Sequence, residues 1–149
     1  MSAALHLAGP DDLGKLAPMV AAYHAFEGIK SDAEHIANAL APLLEGSPHG
    51  CAYLIGPRKA PIGYAVLTFG WSLEFGGLDG FVDELFIREG VRGRGIGTEA
   101  LAALQRAMAD AGLKALHLEV GQSNARAKAM YTRRGFRARD GFHLMSWQP

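Results

Sequence analysis

The chain has 149 residues, of which 49% are hydrophobic and 20% charged, and its formal net charge at pH 7 is zero. This length and composition predict one globular domain over residues 1–149 and exclude a disordered or fibrous chain. The lone Cys51 excludes an intramolecular disulfide framework. No stretch approaches the ~20 apolar residues of a membrane span, and no secretory signal is visible. We therefore expect a cytoplasmic protein with no membrane partner.

The charged residues that sum to zero are distributed unevenly along the chain. Residues 1–87 carry a net charge of −6, and residues 88–149 carry a net charge of +6. This uneven distribution indicates two surfaces that bind ligands of opposite charge. Alternatively, the surface charges are simply scattered unevenly along the chain.

Apolar patterning in the first part of the chain predicts six elements in the order β-α-α-β-β-β, at 3–8, 13–26, 31–44, 51–56, 61–71 and 80–89. Pro18 is expected to kink or split the first helix, and Pro42 to fray the end of the second. The two strands at 51–56 and 61–71 predict an antiparallel hairpin.

Patterning in the second part of the chain predicts a helix at 95–111, a buried strand at 114–120 and another helix at 124–134. It also predicts two short strands around the turn at Asp140-Gly141. The complete order is β-α-α-β-β-β-α-β-α-β-β. This order predicts a mixed α/β fold with one β-α-β crossover near the carboxyl end.

The most informative segment is RGRGIGT, residues 92–98, which joins a predicted strand to a predicted helix. Its alternate glycines, Gly93, Gly95 and Gly97, let backbone N–H groups approach a ligand closely. The helix N-terminus adds its dipole, and two arginines add positive charge. The segment predicts a cradle for a pyrophosphate, although it matches neither a Walker loop nor a dinucleotide fingerprint.

The run Arg92-x-x-Gly95-x-Gly97 resembles R/Q-x-x-G-x-G/A, the acetyl-CoA signature of the GNAT superfamily of N-acetyltransferases. A second block of the same enzymes, N-x-x-A-x-x-x-Y-x-x-x-G-F, is similar to the residues Asn124, Ala127, Tyr131 and Gly135-Phe136. The resemblance covers most of the chain. It implies a central mixed, mostly antiparallel sheet flanked by helices, with acetyl-CoA as co-substrate.

The resemblance also implies a site for acetyl-CoA, made of Leu85, Phe86, Ile87, Arg92, Gly93, Arg94, Gly95, Ile96, Gly97, Thr98, Asn124, Ala127 and Lys128. In GNAT enzymes the strand before the loop pairs with the pantetheine amides as a peptide would, and the following strand splays away. Asn124, Lys128 and Tyr131 share one helix face. The phenol of Tyr131 can protonate the departing CoA thiolate.

Asp83 and Glu84 are the candidate acceptors for the proton that an amine must lose before it attacks the thioester. Strand alternation turns one carboxylate toward the cleft and the other away, unless a bulge intervenes. The polyamine branch of GNAT enzymes has an acid nine residues before the motif arginine, which favours Asp83 as the base and leaves Glu84 as the alternative. Alternatively, both carboxylates could simply be solvated or pair with Arg88.

The predicted reaction is acetyl transfer from acetyl-CoA to a small cationic amine, by direct attack in a ternary complex. Ala21–Ile29 and the strand VDELFI are similar to diamine and polyamine acetyltransferases. The alternatives are acetylation of protein N-termini or lysine side chains, in an open groove between Trp71 and Gly80, and a catalytically silent acyl-CoA-binding module.

Several partners are not expected. The basic residues between 126 and 139 match no nucleic-acid recognition motif. The six histidines show no metal-ligand spacing and are expected to be ordinary surface or core residues. A homodimer through carboxyl-terminal strands is implied by the resemblance alone.

Overall fold

The computed structural model describes residues 4–149 and divides into two compact units, one ending at Glu119 and the other spanning Val120–Pro149. The strands are β1 (Leu5–Leu7), β2 (Gly50–Ile55), β3 (Gly63–Ser72), β4 (Gly77–Ile87) and β5 (Ala115–Leu118). The α-helices are α1 (Leu13–Glu27), α2 (Ala33–Leu44), α3 (Ile96–Asp110) and α4 (Ala125–Arg133). Ala3, the first position of the predicted strand 3–8, lies outside the described residues.

The first unit is built on a five-stranded sheet with the order β1-β2-β3-β4-β5. Neighbouring strands are antiparallel, except that β5 runs parallel to β4 after the crossover through α3. The predicted fold class is therefore confirmed: a mixed, mostly antiparallel open sheet with flanking helices.

Both faces of the sheet are covered, so the middle of β3 is buried on each side. Tyr64 and Val66 pack with the apolar faces of α1 and α2, whereas Ala65 and Leu67 pack with α3. Such double burial explains why β3 is a nearly continuous apolar run instead of an alternating one.

Capping residues explain where two helices of the first unit begin or end. Asp32 caps α2 by accepting a hydrogen bond from the backbone N–H of His35 at 2.8 Å. Gly28, with a φ of +71°, ends α1 in the left-handed conformation. The predicted split at Pro18 does not occur, because α1 continues through it: the buried side chains of Leu16 and Met19 hold the helix against the sheet.

Two predicted strands near the carboxyl terminus are also wrong. The turn at Asp140-Gly141 forms, with the N–H of Phe142 donating to the carbonyl oxygen of Arg139 at 3.4 Å, but no strand flanks it. A two-stranded hairpin is only marginally stable without a third strand to pair with, and the unit Val120–Pro149 contains no strand. The predicted buried strand at 114–120 is the shorter and half-buried β5, which among residues 4–149 pairs with β4 alone.

Candidate active site

A β-bulge interrupts the pairing of β3 with β4. Val66 lies opposite Glu84 while Leu67 lies opposite Val82, so Asp83 has no partner across the ladder. Val82 packs on the α3 side of the sheet and Phe86 on the side of α1 and α2, although residues four apart in a regular strand share a face. The bulge thus changes which side chains face α1.

Glu84 is held at both carboxylate oxygens. The hydroxyl of the buried Tyr64 donates to Oε1 at 2.7 Å, and Nε2 of His24 lies 2.6 Å from Oε2. The other ring nitrogen of His24, Nδ1, lies 2.6 Å from Oγ of Ser31, in the segment between α1 and α2. Burial, and then the charge of Glu84, raise the pKa of Tyr64, so its phenol stays protonated as a donor.

Sequence reasoning missed this chain of hydrogen bonds. His24 was expected to be an ordinary residue and Ser31 to start a helix, because no local spacing connects them to a carboxylate sixty residues further on. The alternative pairing of the carboxylates with Arg88 is wrong: the guanidinium Nε of Arg88 donates to the carbonyl oxygen of Pro61 at 3.0 Å.

Asp83 has different surroundings from Glu84. Its surface is exposed, and it makes no hydrogen bond or ion pair within residues 4–149. Crowding by protein atoms removes water from its carboxyl and raises its pKa, and the charges of Glu84 and Glu119 raise it further, while His24 lowers it. Asp83 therefore holds a proton more readily than an ordinary aspartate.

Strands β4 and β5 separate at the same place. Their last paired residues are Val82 and Leu118, so Asp83 and Glu119 follow immediately on the two strands. From Glu84 to Ile87, β4 pairs with β3 on one edge and with no described strand on the other. This free edge is available for hydrogen bonds to an extended ligand.

The glycine loop leads from β4 to α3. Gly93 and Gly95 have φ values of +83° and +75°, and Gly95 is the N-cap of α3, which buried Ile96 anchors. Among the described residues, the backbone N–H groups of 93–98 find no acceptor. They are the donors that an anion at a helix N-terminus would use.

The two arginines of the loop differ in position. Nε of Arg92 donates to the carbonyl oxygen of Ile87 at 2.8 Å, and its guanidinium carbon lies 5.2 Å from the ring centroid of Phe26 and 5.5 Å from that of Phe86. Arg92 is therefore stacked between two aromatic rings. Arg94 is exposed and forms no ion pair within residues 4–149, so its guanidinium is available to an anion at the loop.

The second unit carries the other predicted block on α4. Oδ1 of Asn124 accepts from the N–H of Ala127 at 3.1 Å and caps the helix. Lys128 is exposed, and Tyr131 is half-buried with its ring centroid 6.1 Å from that of Phe136. The predicted helix is confirmed in position.

A cavity of about 520 Å³ lies elsewhere in the first unit, between the turn after β1 and the end of α2. Asp12 and Arg58 at its wall pair at 3.1 Å, and burial raises the pKa of the Cys51 thiol there. None of the predicted site residues lines it.

Comparison with known proteins decides the family. The family model for GNAT acetyltransferases matches residues 19–136, which include the bulge, the glycine loop and the Asn124 block. The chain belongs to the GNAT acetyltransferase family. As a GNAT protein it is an acetyl-CoA-dependent N-acetyltransferase, which confirms the predicted enzyme class.

Solved structures agree on the GNAT fold. An integron cassette protein from the mobile metagenome of Cole Harbour Salt Marsh is 30% identical, with a TM-score of 0.82 over 97% of this chain and 89% of that one. A ribosomal-protein-alanine N-acetyltransferase from Brucella melitensis is 16% identical, with a TM-score of 0.75 over 98% and 100% of the two chains. An aminoglycoside acetyltransferase from an uncultured soil metagenomic sample, in complex with sisomicin, is 13% identical, with a TM-score of 0.77 over 98% and 95%.

Residues 4–149 of this GNAT enzyme contain no group of three or more histidine, cysteine or acidic side chains arranged to hold a metal ion. In the same part of the chain, every helix is too short or too polar to cross a membrane.

Proposed function

We propose that this GNAT enzyme acetylates the primary amine of a small cationic molecule, of the diamine or polyamine class, within one domain over residues 1–149. The observation that carries the proposal is the set of carboxylates where β4 and β5 separate. Glu84 and Glu119 lie close enough to Asp83 for their negative charges to raise the pKa of its carboxyl. Concentrated negative charge beside a free strand edge favours a cationic acceptor.

The donor side is assigned to the glycine loop and the free edge of β4. We assign the phosphates of acetyl-CoA to the N–H groups of 93–98, supported by the unpaired donors and by the exposed Arg94. The pantetheine would pair with the backbone of Leu85, Phe86 and Ile87. The family resemblance adds Asn124, Ala127 and Lys128 of α4 to the residues proposed to bind acetyl-CoA.

The proposed chemistry is a direct attack in a ternary complex. The ammonium of the acceptor gives a proton to Asp83, or in the alternative to Glu84, and its nitrogen lone pair then attacks the carbonyl carbon of the thioester. A backbone N–H in the gap beside β4 would stabilise the oxyanion. As the C–S bond breaks, Tyr131 gives its phenolic proton to the thiolate. The second proton of the acceptor nitrogen then passes through water to the phenolate, which restores the phenol, and the carboxylate releases its proton to solvent.

A protein amine is the second candidate acceptor. The predicted groove between Trp71 and Gly80 is a hairpin tip joining β3 to β4, with Trp71 73% and Leu73 91% exposed. Exposed apolar side chains of this size favour contact with a protein surface. The tip is the observation that supports an acceptor at a protein N-terminus or a lysine side chain.

Location and assembly are proposed on other grounds. We place the enzyme in the cytoplasm, where acetyl-CoA is available and a free thiol such as that of Cys51 stays reduced. A homodimer remains a prediction from the family resemblance.

Release of CoA thiol from acetyl-CoA with a panel of amines tests the proposal. The panel holds 1,4-diaminobutane, spermidine, glycinamide, a peptide that begins with alanine and a peptide with an internal lysine. We expect the two polyamines to give the highest kcat/KM. Highest rates with the peptides would favour the protein acceptor, and acetyl-CoA binding without thiol release from any amine would favour the silent module.

A further inference from the structure

His24 connects the acidic pair to the segment between α1 and α2. Both of its ring nitrogens are engaged, at 2.6 Å from Oε2 of Glu84 and at 2.6 Å from Oγ of Ser31. The side chains of His24 and Glu84 are only 13% and 15% exposed. A ring fixed at both nitrogens by two elements has a set orientation, and it keeps Glu84 against Tyr64.

His24 is a basic side chain among acidic ones. The titratable side chains at the bulge are Asp83 and Glu84 on β4, Glu119 after β5, Tyr64 on β3 and Tyr23 beside His24 on α1. Within residues 4–149, no lysine or arginine forms an ion pair with Asp83 or Glu84. The imidazole is therefore the base that pairs with this acidic group.

We propose that His24 is a positioning residue for acetyl transfer, which holds Glu84 in place and offsets its charge so that the neighbouring Asp83 can ionise and accept the amine's proton. The inference rests on the proposed function, because it takes Asp83 as the proton acceptor. His24 acts through the two carboxylates, and Ser31 acts through His24.

This arrangement predicts that two variants shift the acid limb of the pH–rate profile in opposite directions. His24→Gln removes the imidazole that pairs with Glu84 and leaves the charge of that carboxylate without its partner, so the pKa of Asp83 rises. Glu84→Gln removes a negative charge beside Asp83, so the pKa of Asp83 falls. A residue that only supported the fold would lower activity at every pH and leave the limb where it was.

The test measures kcat/KM against pH for the wild-type enzyme and the variants with 1,4-diaminobutane, and follows the Asp83 side-chain carboxyl by ¹³C NMR. We expect the acid limb and the Asp83 titration to move up by about one pH unit in His24→Gln and down in Glu84→Gln. Below the limb, this shift lowers the rate of His24→Gln about tenfold relative to wild type, and the loss shrinks at high pH. Ser31→Ala should shift the limb less, in the same direction as His24→Gln.

His35→Gln is the matched control, because His35 is an exposed histidine at the start of α2, and it should leave both curves unchanged. An unchanged Asp83 titration in His24→Gln, or shifts of one sign in both variants, would overturn the inference. If His24→Gln does not fold, Ser31→Ala decides by the same two curves. Opposite shifts by NMR with no acetyl transfer to any amine would support the coupling and contradict the proposed function.

Discussion

Asp83 and Glu84 are adjacent in the chain, yet the structure gives them different surroundings. Tyr64 and His24 hold both oxygens of Glu84, whereas the exposed Asp83 has a raised pKa. Pairs of carboxyl groups in unlike environments commonly divide the roles of base and fixed charge. The sequence could predict the pair, but it could not assign these roles, because the side chains that separate them come from α1 and β3.

Replacement of the proposed base tests that division. Asp83→Asn should lower kcat by about 10²–10⁴-fold, the range for loss of one general base, and Glu84→Gln should lower it less. Steady-state rates at pH 7 measure both effects. Asp110→Asn, an exposed position near the end of α3, is the control and should match wild type. Equal rates for Asp83→Asn and wild type would assign the proton to another group or to water.

The same replacement should change stability with the opposite sign to activity. Below the ordinary pKa of 3.8, Asp83 is protonated in the folded and the unfolded chain, so it contributes no difference. As pH rises through the raised folded pKa, ionisation costs more in the folded state and lowers the free energy of unfolding. Asp83→Asn should therefore have a higher Tm than wild type at pH 7, and the gap should close toward pH 4. A lower Tm at pH 7 would contradict the raised pKa.

Tyr131 is tested by removing its hydroxyl alone. Tyr131→Phe keeps the ring beside Phe136, so acetyl-CoA affinity and Tm should change little, while kcat should fall by about 10²–10⁴-fold. Calorimetry and steady-state kinetics separate the two quantities. A loss of tenfold or less would mean that the thiolate leaves without this acid, and a large fall in Tm would show that the residue serves packing.

At the scale of elements, the bulge in β4 is the feature that alternation could not reveal. The strand GFVDELFIRE was predicted, but the extra residue at Asp83 depends on the register with β3, a strand that is distant in sequence. The helix through Pro18 and the absent strands around Asp140-Gly141 have a similar cause. In each case, the secondary structure depends on packing or on the presence of a neighbouring strand more than on the local sequence preference.

The glycine loop allows a test with a closely matched control. Gly95 and Gly112 lie at the two ends of α3, with φ values of +75° and +90°, and a Cβ at either would meet nothing within 4 Å. Valine at either position therefore carries a similar backbone strain. Gly95→Val should abolish acetyl-CoA binding by calorimetry, because its side chain blocks approach to the N–H groups, whereas Gly112→Val should bind normally. Equal affinities in the two variants would remove the loop from the acetyl-CoA site.

At the scale of the whole molecule, the division of charge at residue 87 parallels the proposed division between acceptor and donor. The carboxylates at the bulge, except Glu119, come from the acidic part of the chain, and the glycine loop opens the basic part. Sequence motifs were enough to predict the family, because GNAT signatures lie in contiguous loops and helices. The acceptor is harder to predict, because its proposed site draws on α1, β4 and the end of β5.

Acetyl-CoA affinity should depend on salt if the basic part meets a phosphorylated donor. The Debye length falls from about 10 Å at 0.1 M salt to about 3 Å at 1 M. We expect the Kd for acetyl-CoA to rise across this range, and Arg94→Gln to reduce the dependence. Calorimetry at several salt concentrations measures it, and a Kd independent of salt would contradict phosphate binding by this surface.

Two acceptors with the same carbon chain test whether the acidic site at the bulge selects a cationic amine. 1,4-Diaminobutane and 4-aminobutanoate share a primary amine and differ in the charge at the far end. We expect a kcat/KM at least about tenfold higher for the diamine, since short-range charge reversal beside carboxylates is worth more than that. Equal values for the two acceptors, or a preference for 4-aminobutanoate, would contradict it.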